Sequence, residues 1–233
     1  MDFNPHIITI GFLWYIAFLF STVCHEGAHA LAGKLGGDPT AFEAGQVTLN
    51  PVPHIRREPF GLVLVPLLSY ALNGWMMGWA SAPYDPRWER RHPRRAGLMA
   101  LAGPAANCTI MILAAVGIRA GLRLGLFDLP NQISLSSLVD ATNPERFGFL
   151  ATLLSIFFSL NLILFTFNLL PVPPLDGSTG IAVFLPEATA VRLIDFYHSS
   201  GLGFAGILIA WVVYRYVFDW VAPRAIHLLF LGV

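Results

Sequence analysis

Cysteine is nearly missing from this chain of 233 residues. Cys24 and Cys108 are the whole complement, too few for a disulfide framework; both read as small side chains packed between helices. Charge is scarce too, at 12% of residues, about half the share of an ordinary soluble domain. The 14 basic and 14 acidic residues cancel to a formal net charge of +0, which gives no electrostatic footprint for nucleic acid. No repeat, low-complexity tract or polar appendage interrupts the chain, so it reads as one domain, 1–233. The short start, residues 1–6, carries no lysine or arginine. The first apolar run therefore lacks the basic flank of a removable signal peptide.

What fills the chain is apolar. Hydrophobic residues make up 55% and the mean hydropathy is +0.63, the signature of a polytopic membrane protein. Five runs are long enough by hydropathy to span: residues 7–35, 60–80, 96–122, 149–170 and 203–221. The fold expected is all-α, with four spanning helices. Residues 40–55 read as extended, because Pro51 and Pro53 stand two apart and proline disfavours helix. Residues 125–147 read as a polar connection and 181–197 as a surface helix. Arg215 and Asp219, four apart in the last span, are expected to pair.

The first span contains Cys24-His25-Glu26-Gly27-Ala28-His29. On a helix, His25 and His29 share one face about a turn apart. Two imidazoles so spaced can hold one zinc ion, with Glu26 placed to act on a water there. Ionisable groups between Phe18-Leu19-Phe20 and Ala30-Leu31-Ala32 are costly in a membrane and point to function. A catalytic zinc needs a third protein ligand, and Glu43, His54, Glu58 and Asp176 are the candidates. Asp176 follows a span broken by Pro171, Pro173 and Pro174, and irregular backbone at membrane depth is tolerated only inside protein or along a cavity. An Asp-Gly turn accounts for the same residue equally well.

Topology bears on that choice. His25 and His29 lie near the C-terminal end of the first span, and Asp176 just past the end of 149–170. They meet only if those helices run in the same direction, which forbids the apolar run 60–80 from crossing. It is therefore expected to be re-entrant (about 60–82), bending at Asn73-Gly74. Lys34, Arg56, Arg57, the five arginines of 83–95 and Arg192 then share one face, nine of the 14 basic residues. The positive-inside rule puts that face and the metal end in the cytoplasm, with the N-terminus outside. The basic loop is expected to rest on anionic headgroups.

Taken together, these motifs resemble the site-2 protease family of intramembrane zinc metalloproteases. The resemblance runs through His25-Glu26-Gly27-Ala28-His29, Leu49-Asn50-Pro51-Val52-Pro53-His54-Ile55, Gly78-Trp79-Ala80, Asp85-Pro86-Arg87 and Pro93-Arg94-Arg95. It continues in Ala102-Gly103-Pro104-Ala105-Ala106-Asn107 and in Asn168 through Gly177, a span that includes Pro171 and Asp176. The chain is similar to the compact bacterial branch without PDZ or CBS domain. The resemblance implies Zn2+ held by His25, His29 and Asp176, with Glu26 as general base and Asn107 near the reacting carbonyl. It also implies a small membrane-embedded β element beside the cleft, with residues 40–49 and 76–82 as candidate edges. His54 is a candidate for stabilising the same charge or for holding a carboxylate. The expected activity is hydrolysis of a peptide bond in single-span membrane protein substrates. Ser81 and Arg56 depart from the lysine and acidic residue common in that branch, which touches substrate choice more than chemistry. The rival readings are a non-cleaving zinc-binding protein (a pseudoprotease or a chaperone for transmembrane segments) and a metal transporter. The first would have lost Glu26 or a ligand; the second would spread ionisable groups along several spans.

Overall fold

The computed structural model describes residues 5–201 and 203–232; residues 1–4 of the expected polar start lie outside the described residues. Helix α1 (Pro5–Gly36) runs unbroken for 32 residues, about 48 Å at 1.5 Å per residue. That exceeds the hydrocarbon thickness of about 30 Å. Asp38 then turns the chain. Its carboxylate accepts from the Thr40 N–H and hydroxyl at 3.0 and 2.5 Å and from the Asp85 N–H at 2.9 Å. Burial opposes ionisation there, but those donors outweigh it and hold the carboxyl below the usual range.

The stretch expected to be extended is instead mostly helical, as α2 (Thr40–Glu43) and α3 (Pro51–Arg57). Proline excludes the interior of a helix, not its first turn, where the N–H has no partner anyway. Pro51 opens α3, Pro53 falls in the same turn, and Asn50 caps it by accepting the Val52 N–H at 3.0 Å.

A π-helical turn (Phe60–Leu64) leads into α4 (Val65–Asn73). Together they are about 21 Å long, too short to cross a bilayer, so the segment is re-entrant as the topology requires. Gly74 makes the bend with φ of 75°, and its N–H closes on the Tyr70 carbonyl; a left-handed residue at this place is glycine's natural role. The chain returns extended through residues 75–85 without joining a sheet. The Met77 N–H donates to Ser69 Oγ at 3.0 Å and the Trp79 N–H to the Gly61 carbonyl at 3.2 Å. Gly61 and Gly78 let these two backbones touch, since a Cβ on Gly61 would collide with the Trp79 carbonyl and one on Gly78 with the Gly61 carbonyl.

Next come α5 (Pro86–Arg91) and the long α6 (Pro93–Arg123), with Pro104 inside it. The described β structure is one antiparallel pair, β1 (Phe127–Asp128) and β2 (Asp140–Ala141), with Phe127 opposite Ala141. It lies in the connection after α6, so neither 40–49 nor 76–82 supplies the expected strand. Helix α7 (Pro144–Asn168) starts earlier than hydropathy suggested, because Asn143 caps it and Pro144 opens it. After the proline break come α8 (Asp176–Gly180), a 3-10 turn (Ile181–Phe184), α9 (Glu187–Ser199) and α10 (Gly203–Phe230). Helices α1, α6, α7 and α10 are long and apolar enough to cross a membrane, so this is an all-α polytopic membrane protein. Arg215 and Asp219 are both exposed on α10, and the expected pair is absent from the ion pairs among the described residues.

Apolar burial gives little driving force between helices in lipid, so close packing and polar contacts hold them. Leu13, Trp14 and Phe18 of α1 pack with Leu62, Met76, Ile156 and Leu160, which seats the re-entrant segment against α1 and α7. Ala210 and Tyr214 of α10 pack on Leu170 and Leu175 around the proline break. The Thr166 and Tyr214 hydroxyls meet at 2.9 Å. Gly206 of α10 leans directly on the Pro173 carbonyl. Outside the spans, α9 docks on α5 through His198 and the buried Glu89 at 2.8 Å and through Arg90 and Asp195 at 2.9 Å.

Gly61→Ala should lower the thermal midpoint of the detergent-solubilised protein, at a cost of about 1–3 kcal/mol for overpacking a backbone contact. Gly148→Ala, where a Cβ would meet nothing closer than Pro144 Cβ at 4.0 Å, should leave the midpoint unchanged or raise it slightly.

Candidate metal centre

The four-residue spacing on α1 turns His25 and His29 the same way, with ring centroids 4.5 Å apart and planes at 82°. Both side chains are buried, as is Glu26 between them in sequence. The proline break after α7 returns the chain to this point. Asp176 Oδ2 lies 3.0 Å from His25 Nε2, Asp176 Oδ1 lies 3.3 Å from His29 Nε2, and the two Nε2 atoms are 2.9 Å apart. Donors about 2.0–2.1 Å from one zinc ion at tetrahedral corners stand about 3.3 Å from each other, so the three side chains have the spacing of a ligand set. Among the described residues they form the one such group of His, Cys, Asp and Glu. Of the third-ligand candidates, Asp176 is in it and Glu43, His54 and Glu58 are not.

The hydrogen-bond pattern suits a cation there. His25 Nδ1 is 2.6 Å from Asn107 Oδ1, and His29 Nδ1 is 2.7 Å from the Met99 carbonyl. Both partners only accept, so each neutral ring carries its proton on Nδ1 and presents a bare Nε2. Asp176 Oδ2 is buried with no hydrogen-bond donor. Lone pairs from two rings and a carboxylate therefore face one another at 2.9–3.3 Å, which is repulsive unless a positive ion sits among them.

Space for the ion comes from α6. A Cβ on Gly103 would collide with the Nε2 atoms of both histidines, so this glycine leaves bare the room that a bound ion fills. Gly177 does a related job beside Asp176: a Cβ there would run into the Leu169 and Leu170 carbonyls at the end of α7.

Asn107 is fully buried, and its amide has partners other than a substrate carbonyl. Its Oδ1 accepts from His25, and its Nδ2 donates to Asn161 Oδ1 at 2.8 Å. His54 is buried too, and its Nε2 donates to the Thr48 carbonyl at 3.1 Å. That carbonyl lies 3.3 Å from where a Cβ of Gly27 would be, so His54 holds the 48–54 segment against α1 next to Glu26. Glu58 is engaged elsewhere, accepting from the Ser81 hydroxyl at 2.6 Å. Sequence reading does not single out Gly103 or Asn161. Gly103 stood within a quoted motif, and a buried amide inside an apolar span was the available signal for Asn161.

Gly103→Ala should purify as a helical protein that has lost stoichiometric zinc, read by metal analysis and circular dichroism on the same sample. Full zinc occupancy in this variant would count against the site.

Comparison with known proteins bears on the same point. The chain is 33% identical over 199 residues to a Bacillus subtilis (strain 168) protein named "Putative zinc metalloprotease YwhC", covering 84% of this chain and 78% of the relative. It is 26% identical over 201 residues to "Putative zinc metalloprotease Rip2" of Mycolicibacterium smegmatis (strain ATCC 700084 / mc(2)155), covering 86% and 68%. No family model matches, and no solved structure does. The donor set fits the Zn2+ that both names give. With that identity over most of both chains, the chain belongs to the site-2 protease family of zinc metalloproteases.

Proposed function

We propose that this protein is an intramembrane zinc metalloprotease that hydrolyses a peptide bond within or near a transmembrane segment of single-span membrane proteins. The observation that carries the reading is the convergence of His25, His29 and Asp176 beside the buried Glu26, inside helices that belong in a bilayer. His25, His29 and Asp176 would hold the zinc. Bound zinc supplies acidity to water and polarises a carbonyl. Glu26 takes the proton of the attacking water and hands it to the leaving nitrogen, so an O–C bond forms as the C–N bond breaks. Asn107 orients His25, and His54 holds the wall next to Glu26.

A helical substrate must be locally extended before its carbonyls are free for attack. Residues 75–82 support that step. They run extended, and several of their peptide groups, including those of Gly78 and Ala80, have no hydrogen-bond partner among the described residues. A substrate strand added along this edge would satisfy them. Nine of the 14 basic residues fall on the metal side if residues 60–82 are re-entrant, and the positive-inside rule then favours a cytoplasmic active site and an external N-terminus. A non-cleaving zinc-binding role is the alternative, and retention of Glu26 with a complete ligand set argues against it.

Glu26→Gln should retain zinc at wild-type stoichiometry and lose at least about a hundredfold in cleavage rate on a panel of single-span substrates in detergent. Undiminished cleavage by this variant would remove Glu26 from the reaction. No cleavage of any substrate by the zinc-loaded wild type would favour the non-cleaving alternative.

A further inference from the structure

Behind His25 lies a chain of buried polar groups that the ligand set alone does not explain. Ser21 on α1, Asn107 on α6 and Asn161 on α7 are each 0% exposed, in a region where unsatisfied polar groups are costly. Asn161 Nδ2 donates to the Phe157 carbonyl at 2.9 Å and to Ser21 Oγ at 2.8 Å. Asn107 Nδ2 donates to Asn161 Oδ1 at 2.8 Å and leans toward the Ser21 carbonyl at 3.4 Å. Asn107 Oδ1 then faces His25 Nδ1 at 2.6 Å.

The direction of this chain is set at its far end. A backbone carbonyl only accepts, so the Phe157 carbonyl compels Asn161 to turn its Nδ2 that way and its Oδ1 toward Asn107. That oxygen also only accepts, so Asn107 must offer Nδ2 to it and Oδ1 to His25. His25 in turn can only donate from Nδ1, which leaves its Nε2 without a proton. Reversing one amide would present an N–H to Nδ1, move the ring proton to Nε2, and cap the lone pair that the metal needs. We infer that Asn161 is a positioning residue for the metal centre: through Asn107 it fixes the tautomer of His25, although it touches neither the ion nor its ligands. The inference rests on the zinc reading above and extends it to a residue two hydrogen bonds away.

The test is zinc affinity of the purified full-length protein in detergent, by competition with a chelator of known affinity and metal analysis. Asn161→Leu keeps the side chain's shape and removes the acceptor. It should weaken zinc binding about 10–100-fold, the usual loss when a ligand's outer partner is disturbed. Asn161→Asp keeps an oxygen toward Asn107 and should stay within about threefold of wild type. Asn107→Asp presents an acceptor to His25 whichever way it turns, so adding Asn161→Leu to it should cost no more than about threefold. Asn161→Ala repeats the comparison should the leucine variant not fold. Wild-type affinity in Asn161→Leu would overturn the inference. So would an equal loss with and without Asn107→Asp, because that is the behaviour of a residue that merely packs. Zinc affinity is read without substrate, so a protein that holds zinc through this chain yet cleaves nothing would count against proteolysis alone.

Discussion

Three acceptor groups with no donor among them are held within about van der Waals distance, and the rest of the architecture answers to that constraint. His25 and His29 need only the helical repeat of α1, but Asp176 must be brought in from more than a hundred residues later. It can arrive only if α1 and α7 end on the same side. The re-entrant segment Phe60–Asn73 makes this possible by staying too short to cross, leaving α6 as the single reversal between them. The proline break after α7 then turns the carboxylate back toward the membrane interior, where an orderly helix would have carried it away. A divalent cation among these groups would turn the mutual repulsion of their lone pairs into coordination.

The bilayer decides how such a centre can be supported. In water a buried imidazole could be oriented by solvent, but within spanning helices each proton needs a protein partner. The Met99 carbonyl serves His29 directly. His25 is served by an amide that must itself be oriented, and the polar residues of three helices are used for that purpose. The same groups cross-link α1, α6 and α7, so orienting the metal ligand and holding the helices together are one set of hydrogen bonds.

Much of this was legible in the residues. The histidine pair and Glu26 are local in sequence, so periodicity alone finds them. The re-entrant segment follows from asking how Asp176 could reach the pair; the structure brings Asp176 to both histidines and keeps the Phe60–Asn73 helix short. Other parts were misread for identifiable reasons. Pro51 and Pro53 argue against helix on sequence grounds, yet both occupy the first turn of α3, where no N–H is needed. The expected strands at 40–49 and 76–82 fail because the first is largely helix and turn and the second has no ladder partner. The space beside Gly103 could not be read at all. It depends on a bare Cα in α6 meeting two rings of α1 some seventy residues away, and no local pattern records such a meeting.

The contact of Gly206 with the Pro173 carbonyl joins two things usually considered apart. Asp176 stands three residues beyond that carbonyl, on a loop whose other flank is pressed by Gly177 against the end of α7. The outermost helix is thus a wall of the loop that carries the carboxylate. Moving α10 away would free the Pro173 carbonyl and with it the loop that positions Asp176. The seat of the last helix and the placement of Asp176 are therefore one mechanical unit.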